Sequence, residues 1–225
     1  MKLLQVEKAR SVWLFPIAEL NPAGSDISSE LGEWFKKRYH FSKFPSSFLE
    51  TEESKKDGYV FGHGRFRYKD GTIAVALTAH SDGLIGDTVA STDATDAFLQ
   101  DALEGARAEL SLAYEPSMVW QKAYVSQLIV KCETDLKGFG PKLSKFEQCV
   151  NAAVGRNEFP SRRDTYRFDG MIFRADWTSA KKMPWFTFES RMNIPFSENR
   201  YYSQAPLSTS EHLALLDKLE EILAE

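Results

Sequence analysis

An α+β fold, an antiparallel sheet with helices packed mainly on one face, is what the sequence predicts. Three observations predict it. Residues 59–80 hold two β-prone segments joined through Asp70-Gly71, a strong two-residue hairpin cue. Residues 185–194 alternate cleanly, with Phe186, Phe188, Met192 and Ile194 on one side and Thr187, Glu189, Arg191 and Asn193 on the other. Helical periodicity follows each run of strands, at 93–112 and again after Ser208. Hairpins pair antiparallel and leave one face to be covered by helices.

The elements follow in order. Residues 11–20 read as a strand, with Pro16 marking a sheet edge or bulge because proline donates no ladder hydrogen bond. Asn21, Pro22 and Gly24 form a turn, and Asp26 caps a helix to Tyr39 with Ile27, Leu31, Trp34 and Phe35 on one face. Residues 40–57 form a loop whose Phe41, Phe44 and Phe48 pack on the core. In the hairpin, Lys69 opposes Thr72. Val60, Phe66 and Tyr68 then share the core face with Ile73, Val75, Leu77 and Ala79. Phe61, His63, Arg65, Arg67 and Lys69 share the opposite face with Thr72, Ala74, Ala76, Thr78 and His80. Gly62 and Gly64 mark a bulge or the close approach of an overlying helix or aromatic ring.

A three-residue turn at 81–83 puts Ile85 and Val89 of a third strand (84–90) in the core; a two-residue turn would put them outside. The helix at 93–112 is capped by Thr92 or Asp93 and carries Phe98, Leu99, Ala102, Leu103, Ala106 and Leu110 inward. A long strand at 118–133, a helix at 142–154 (Leu143, Phe146, Val150, Ala153 inward) and a hairpin at 166–177 and 185–194 follow. Tyr201 to Ser210 is a loop, and Ser208 or Ser210 caps a final helix with Leu213, Leu216, Leu219 and Leu223 inward. The predicted order is β-α-βββ-α-β-α-ββ-α. It forms one compact domain, or two closely packed halves near 1–113 and 114–225. An Asp-x-Leu-Glu run occurs at 101–104 and at 217–220, but acidic amphipathic helices resemble one another and chance explains the match more simply than duplication.

Bulk chemistry narrows the function. Of 225 residues, 43% are hydrophobic and 13% aromatic, enough for a substantial core with aromatics to spare. A net charge of −4 argues against a general counterion-release binder of nucleic acid, without removing a local basic patch. Residues 81–120 carry eight acids against Arg107 alone, whereas bases prevail over 161–200. Cys132 and Cys149 are too few for a disulfide framework and match no zinc spacing, so both read as buried, reduced thiols. With neither a signal-like apolar run at the start nor a membrane-length apolar stretch, the expected location is cytoplasmic.

Three constellations carry chemistry. The row Phe61, His63, Arg65, Arg67 and Lys69 has the make-up of a surface that stacks bases and holds phosphates, although solvated sheet faces carry Arg and Lys as a rule. His63, Thr78 and Asp87 stand in one row, as an oriented general base would, only if the 81–83 turn is the shorter one. Asp176 with Glu189 and Arg191 on consecutive strands has the loose form of a carboxylate site for Mg²⁺ in a metal-dependent hydrolase or nuclease. No phosphate-cradling loop, nucleophile elbow or histidine cluster occurs, so no metal, cofactor or catalytic set is expected. The function expected first is non-enzymatic binding or assembly through protein contacts, including self-association. Sheet edges and the segments around Trp185 and Tyr201-Tyr202 would supply the surface. Nucleic-acid binding through the 61–69 row comes second and the hydrolase third.

Overall fold

The computed structural model describes residues 1–24, 28–45, 57–133, 141–155, 167–174 and 185–224. The fold is α+β: an eight-stranded antiparallel sheet with helices packed against it. The described elements run β1 (Lys2–Leu14), α1 (Ser28–Tyr39), β2 (Tyr59–Tyr68), β3 (Gly71–His80), β4 (Gly83–Thr88) and α2 (Thr92–Leu110), then β5 (Gln121–Lys131), α3 (Pro141–Gly155), β6 (Gly170–Phe173), β7 (Phe186–Ser190), β8 (Arg200–Ala205) and α4 (Thr209–Ala224). The order β-α-β-β-β-α thus occurs twice. The strands hydrogen-bond as β2-β3-β4-β1-β5-β8-β7-β6.

Several boundaries differ from those expected; strand β7, for one, ends at Ser190, so Met192, 82% exposed, and Ile194 lie beyond it. The first strand begins at Lys2 and ends before Pro16, which opens a short 3-10 helix at Ile17–Leu20 instead of breaking a strand. Ser91, rather than Thr92 or Asp93, caps α2; its hydroxyl accepts from the Ala94 amide at 3.2 Å. Residues 200–205, read as loop, form strand β8, with Tyr201, Ser203 and Ala205 buried. Small inward residues hid that alternation.

By backbone contacts the chain divides into two units. The first comprises Val6–Gln127 and Pro206–Ser210; the second comprises Met1–Gln5, Leu128–Ala205 and Glu211–Glu225.

In the first unit, α1 and α2 lie on the same face of β2, β3, β4 and β1, over a core that includes Trp13, Phe35, Tyr39, Phe41, Phe61, Val75, Leu77, Phe98 and Leu103. Aromatic edges hold it together: the Phe98 ring meets Tyr39 edge-on at 5.1 Å and Phe66 at 5.6 Å. Close approach needs glycine at two points. A Cβ at Gly64 would collide with the Phe41 ring, and one at Gly86 would stand 2.7 Å from Thr95 of α2. The first of these is the aromatic approach that Gly62 and Gly64 signalled.

A polar clasp ties α1 to α2. The Arg38 guanidinium donates to both oxygens of Asp101, at 2.9 and 3.1 Å, and to Glu109 at 3.0 Å. The Tyr39 hydroxyl donates to Asp101 at 2.5 Å, and Trp34 Nε1 donates to Glu109 at 2.8 Å. Burial, reinforced by the Asp101 carboxylate, pushes the Tyr39 hydroxyl well above the ordinary phenol range. On the same side of the sheet, Asp96 accepts from Trp13 Nε1 at 2.8 Å and from the Tyr124 hydroxyl at 3.0 Å.

In the second unit, β6, β7 and β8 pair antiparallel, with Met171 opposite Phe188 and Phe188 opposite Ser203. Phe188 is buried and stacks on Tyr201 at 4.7 Å. The Ser203 hydroxyl donates to the Thr187 carbonyl and lies 2.8 Å from His212 Nε2, so α4 covers this face. Leu216 and Leu223 are buried beneath α4 as its periodicity predicts. Phe146 of α3, placed inward by periodicity, is 66% exposed.

Candidate functional site

The β2–β3 ribbon confirms part of the expected face and corrects the rest. The chain reverses at Lys69-Asp70, so Tyr68 opposes Gly71 and Arg67 opposes Thr72. Lys69 takes a positive φ of 51° and sits over the Tyr68 ring. This slips the register by two residues from that expected, which leaves the side chains of 65–68 and 72–75 on their predicted faces. Arg65 and Arg67 are exposed beside Ala74 and Thr72, while Phe66 and Ile73 turn toward the helices.

Beyond them the ladder bulges between Phe61 and Gly64, with His63 at φ 57°. A bulge inserts an unpaired residue and inverts the alternation that follows. Phe61 therefore opposes Leu77 and is 2% exposed, in the core and not on the basic face. Val60 opposes Thr78, away from the predicted core side, and His63 is exposed on the bulge itself. Of the five residues read as a nucleic-acid surface, the cations and His63 remain outside and the stacking aromatic is gone.

The β3–β4 turn is the shorter kind, Ser81-Asp82, with His80 opposite Gly83. Ile85 and Val89 consequently point away from the core, against expectation, and Leu84 and Thr88 point in. The His63–Thr78–Asp87 row does not form even so. Thr78 opposes Ile85, Asp87 opposes Ala76, and both Asp87 oxygens accept from Arg10 at 2.7 and 2.8 Å. A carboxylate held this way is a structural ion pair.

For the hydrolase pattern, Asp176 lies outside the described residues. Glu189 is exposed on β7 opposite Gly170 and Tyr202, and the Arg191 amide donates to the Arg200 carbonyl. Among the described residues no group of three His, Cys, Asp or Glu side chains is placed to hold a metal ion. Cys132 is buried as expected, but Cys149 is exposed on α3.

The two ends of the strand order are finished differently. At β2 the backbone of Lys43 bridges Gly62 in both directions, and the bulge and Arg65 and Arg67 blunt the remainder. These are the usual protections of an edge strand. At β6 no described strand pairs beyond Gly170–Phe173. Ile172 is 53% exposed and Phe173 61% exposed on opposite sides of that strand. Phe173 meets the Phe186 ring edge-on at 5.7 Å, and the Arg174 guanidinium lies 4.0 Å over the exposed Trp185 ring. Trp185, one of the residues expected to supply a contact surface, is exposed. Tyr201 is not: it is buried against Phe188, leaving Tyr202 half-exposed.

A further feature, invisible in sequence, is an apolar cavity of about 230 Å³ in the first unit, between α1, α2 and β2–β4. Leu77, Phe61, Ala102 and Ala106 form its buried floor; half-buried Tyr59 and His80 stand at its rim.

No family model matches this sequence, and no curated protein is significantly similar to it. Among solved structures the chain is similar to Methanococcus jannaschii TBP, at 13% identity and a TM-score of 0.44 over 99% of this chain and 97% of that one. A likeness of that extent assigns no function. Among the described residues no helix is long and apolar enough to cross a membrane.

Proposed function

We propose that this protein is a non-catalytic binding and assembly protein, and that it associates with a second copy of itself along the β6 edge. The observation that carries this reading is the β6 end of the strand order: no described strand pairs beyond it, and Ile172 and Phe173 are exposed on either side of the strand. Two such edges meeting about a two-fold axis pair their backbones antiparallel and bury both apolar residues twice. Burying a large apolar side chain stabilises by about 1.5–3 kcal/mol. The test is size-exclusion chromatography with light scattering over a wide concentration range. The wild type is expected to dimerise. Ile172→Lys with Phe173→Lys, at positions where lysine costs the fold little, is expected to weaken the dimer by about 100-fold or more. A wild type that stays monomeric at hundreds of micromolar removes the reading.

A second reading, binding of single-stranded nucleic acid, is favoured by one observation. Arg65 and Arg67 have no ion-pair partner among the described residues. If they hold phosphates, Arg65→Glu with Arg67→Glu abolishes retention of single strands in low-salt filter binding and leaves thermal unfolding within about 1 kcal/mol of wild type. Equal retention by variant and wild type ends this reading.

A further inference from the structure

We propose that the cavity of the first unit is a binding site for a small, uncharged, mainly apolar molecule, about the size of a bicyclic aromatic. Size, charge and rim chemistry each point that way. At an interior packing density of ~0.74 the cavity holds about 170 Å³ of matter, on the order of ten non-hydrogen atoms. None of its fourteen described lining residues is Lys, Arg, Asp or Glu. An ionised ligand entering it would lose its hydration with nothing in exchange.

The space exists because Ala79, Ala102 and Ala106 stand where larger side chains would meet across the layer. Enclosed apolar cavities take up aromatic molecules, and the apolar lining of this partly open one suits the same kind of guest. Filling this one recovers contacts that the empty cavity forfeits. At the rim, beside the Tyr59 ring, the His80 imidazole offers a hydrogen-bonding partner to one hydroxyl or N–H of the ligand. The preferred ligand is therefore a flat apolar body with a single polar handle.

Indole and 2-naphthol are the probes, titrated into the whole chain at pH 7 by calorimetry and by thermal unfolding. One site per chain is expected, with Tm rising by about 3–6 °C at tenfold excess over Kd. Naphthalene-2-sulfonate, the charged analogue, is expected to bind at least about 100-fold more weakly. Ala106→Leu fills the cavity from the helix side and Ala79→Val from the sheet side. Either variant that folds should lose the probe-induced rise while unfolding at or above the wild-type temperature. The proposal is overturned if neither probe shifts Tm at its solubility limit, if the sulfonate binds as well as the naphthol, or if a folded filled variant binds like wild type.

Discussion

Phe98→Ala is expected to destabilise the first unit by about 3–5 kcal/mol, the range for removing a fully enclosed aromatic ring. Phe98 is 0% exposed, and its ring is the hub on which Tyr39 of α1 and Phe66 of β2 both converge. Truncation removes the apolar transfer energy. It also leaves a void that α1 cannot close, because the Arg38–Asp101 clasp fixes its distance from α2. The Tm should fall by about 10 °C or more, read by circular dichroism. Phe146→Ala is the matched control. Helical periodicity alone places both phenylalanines inward, but the exposed Phe146 should cost less than about 0.5 kcal/mol. Equal losses from the two substitutions would contradict the burial pattern.

Alkaline conditions are expected to destabilise the second unit through Cys132. Burial pushes its thiol up to about 12 from an ordinary value of 9.0, and the nearby Glu220 carboxylate pushes in the same direction. The sign follows from proton counting. Above pH 9.0 the unfolded chain releases the thiol proton, while the folded chain keeps it until about 12. Stability from this group is whole below the unfolded value and is lost as pH rises through the interval. Between about pH 8 and pH 11, wild type should lose roughly 1–2 kcal/mol more than Cys132→Ala, allowing for partial screening by water. Urea unfolding in reductant at the two pH values measures it. Parallel losses in the two proteins would place the thiol in water.

The ribbon at residues 59–80 shows what a sequence can and cannot disclose. Its existence followed from Asp70-Gly71, and the outward direction of Arg65 and Arg67 survived a two-residue slip in register because side chains repeat every two residues. Phe61 falls on the other face because an unpaired residue separates it from Arg65, and the left-handed residue of that bulge is His63, whose type is enriched at positive φ but too weakly for one histidine to mark a bulge. Val60 lies beyond the same bulge and changes face with Phe61, whereas Ile85, placed inward by its apolarity, is turned out by the shorter β3–β4 turn. Strand β8 was hidden because Ser203 and Ala205 occupy buried positions with little apolar bulk.

The candidate contact surface was legible only in part. Trp185 announced itself as an aromatic beside an alternating strand. Ile172 and Phe173 look in sequence like any other core strand, because periodicity reports apolarity and not whether a neighbour exists to cover it. The cavity left no trace at all. It is a property of Ala102 and Ala106 of α2 facing Ala79 of β3, which only folding brings together.

Self-association along β6 is tested most directly by amide hydrogen exchange of Gly170–Phe173 at low and high protein concentration. Pairing with a second copy predicts that protection of these amides rises with concentration and is lost in the Ile172→Lys, Phe173→Lys protein, while protection in β3 stays constant. Exchange at β6 that is independent of concentration would contradict it.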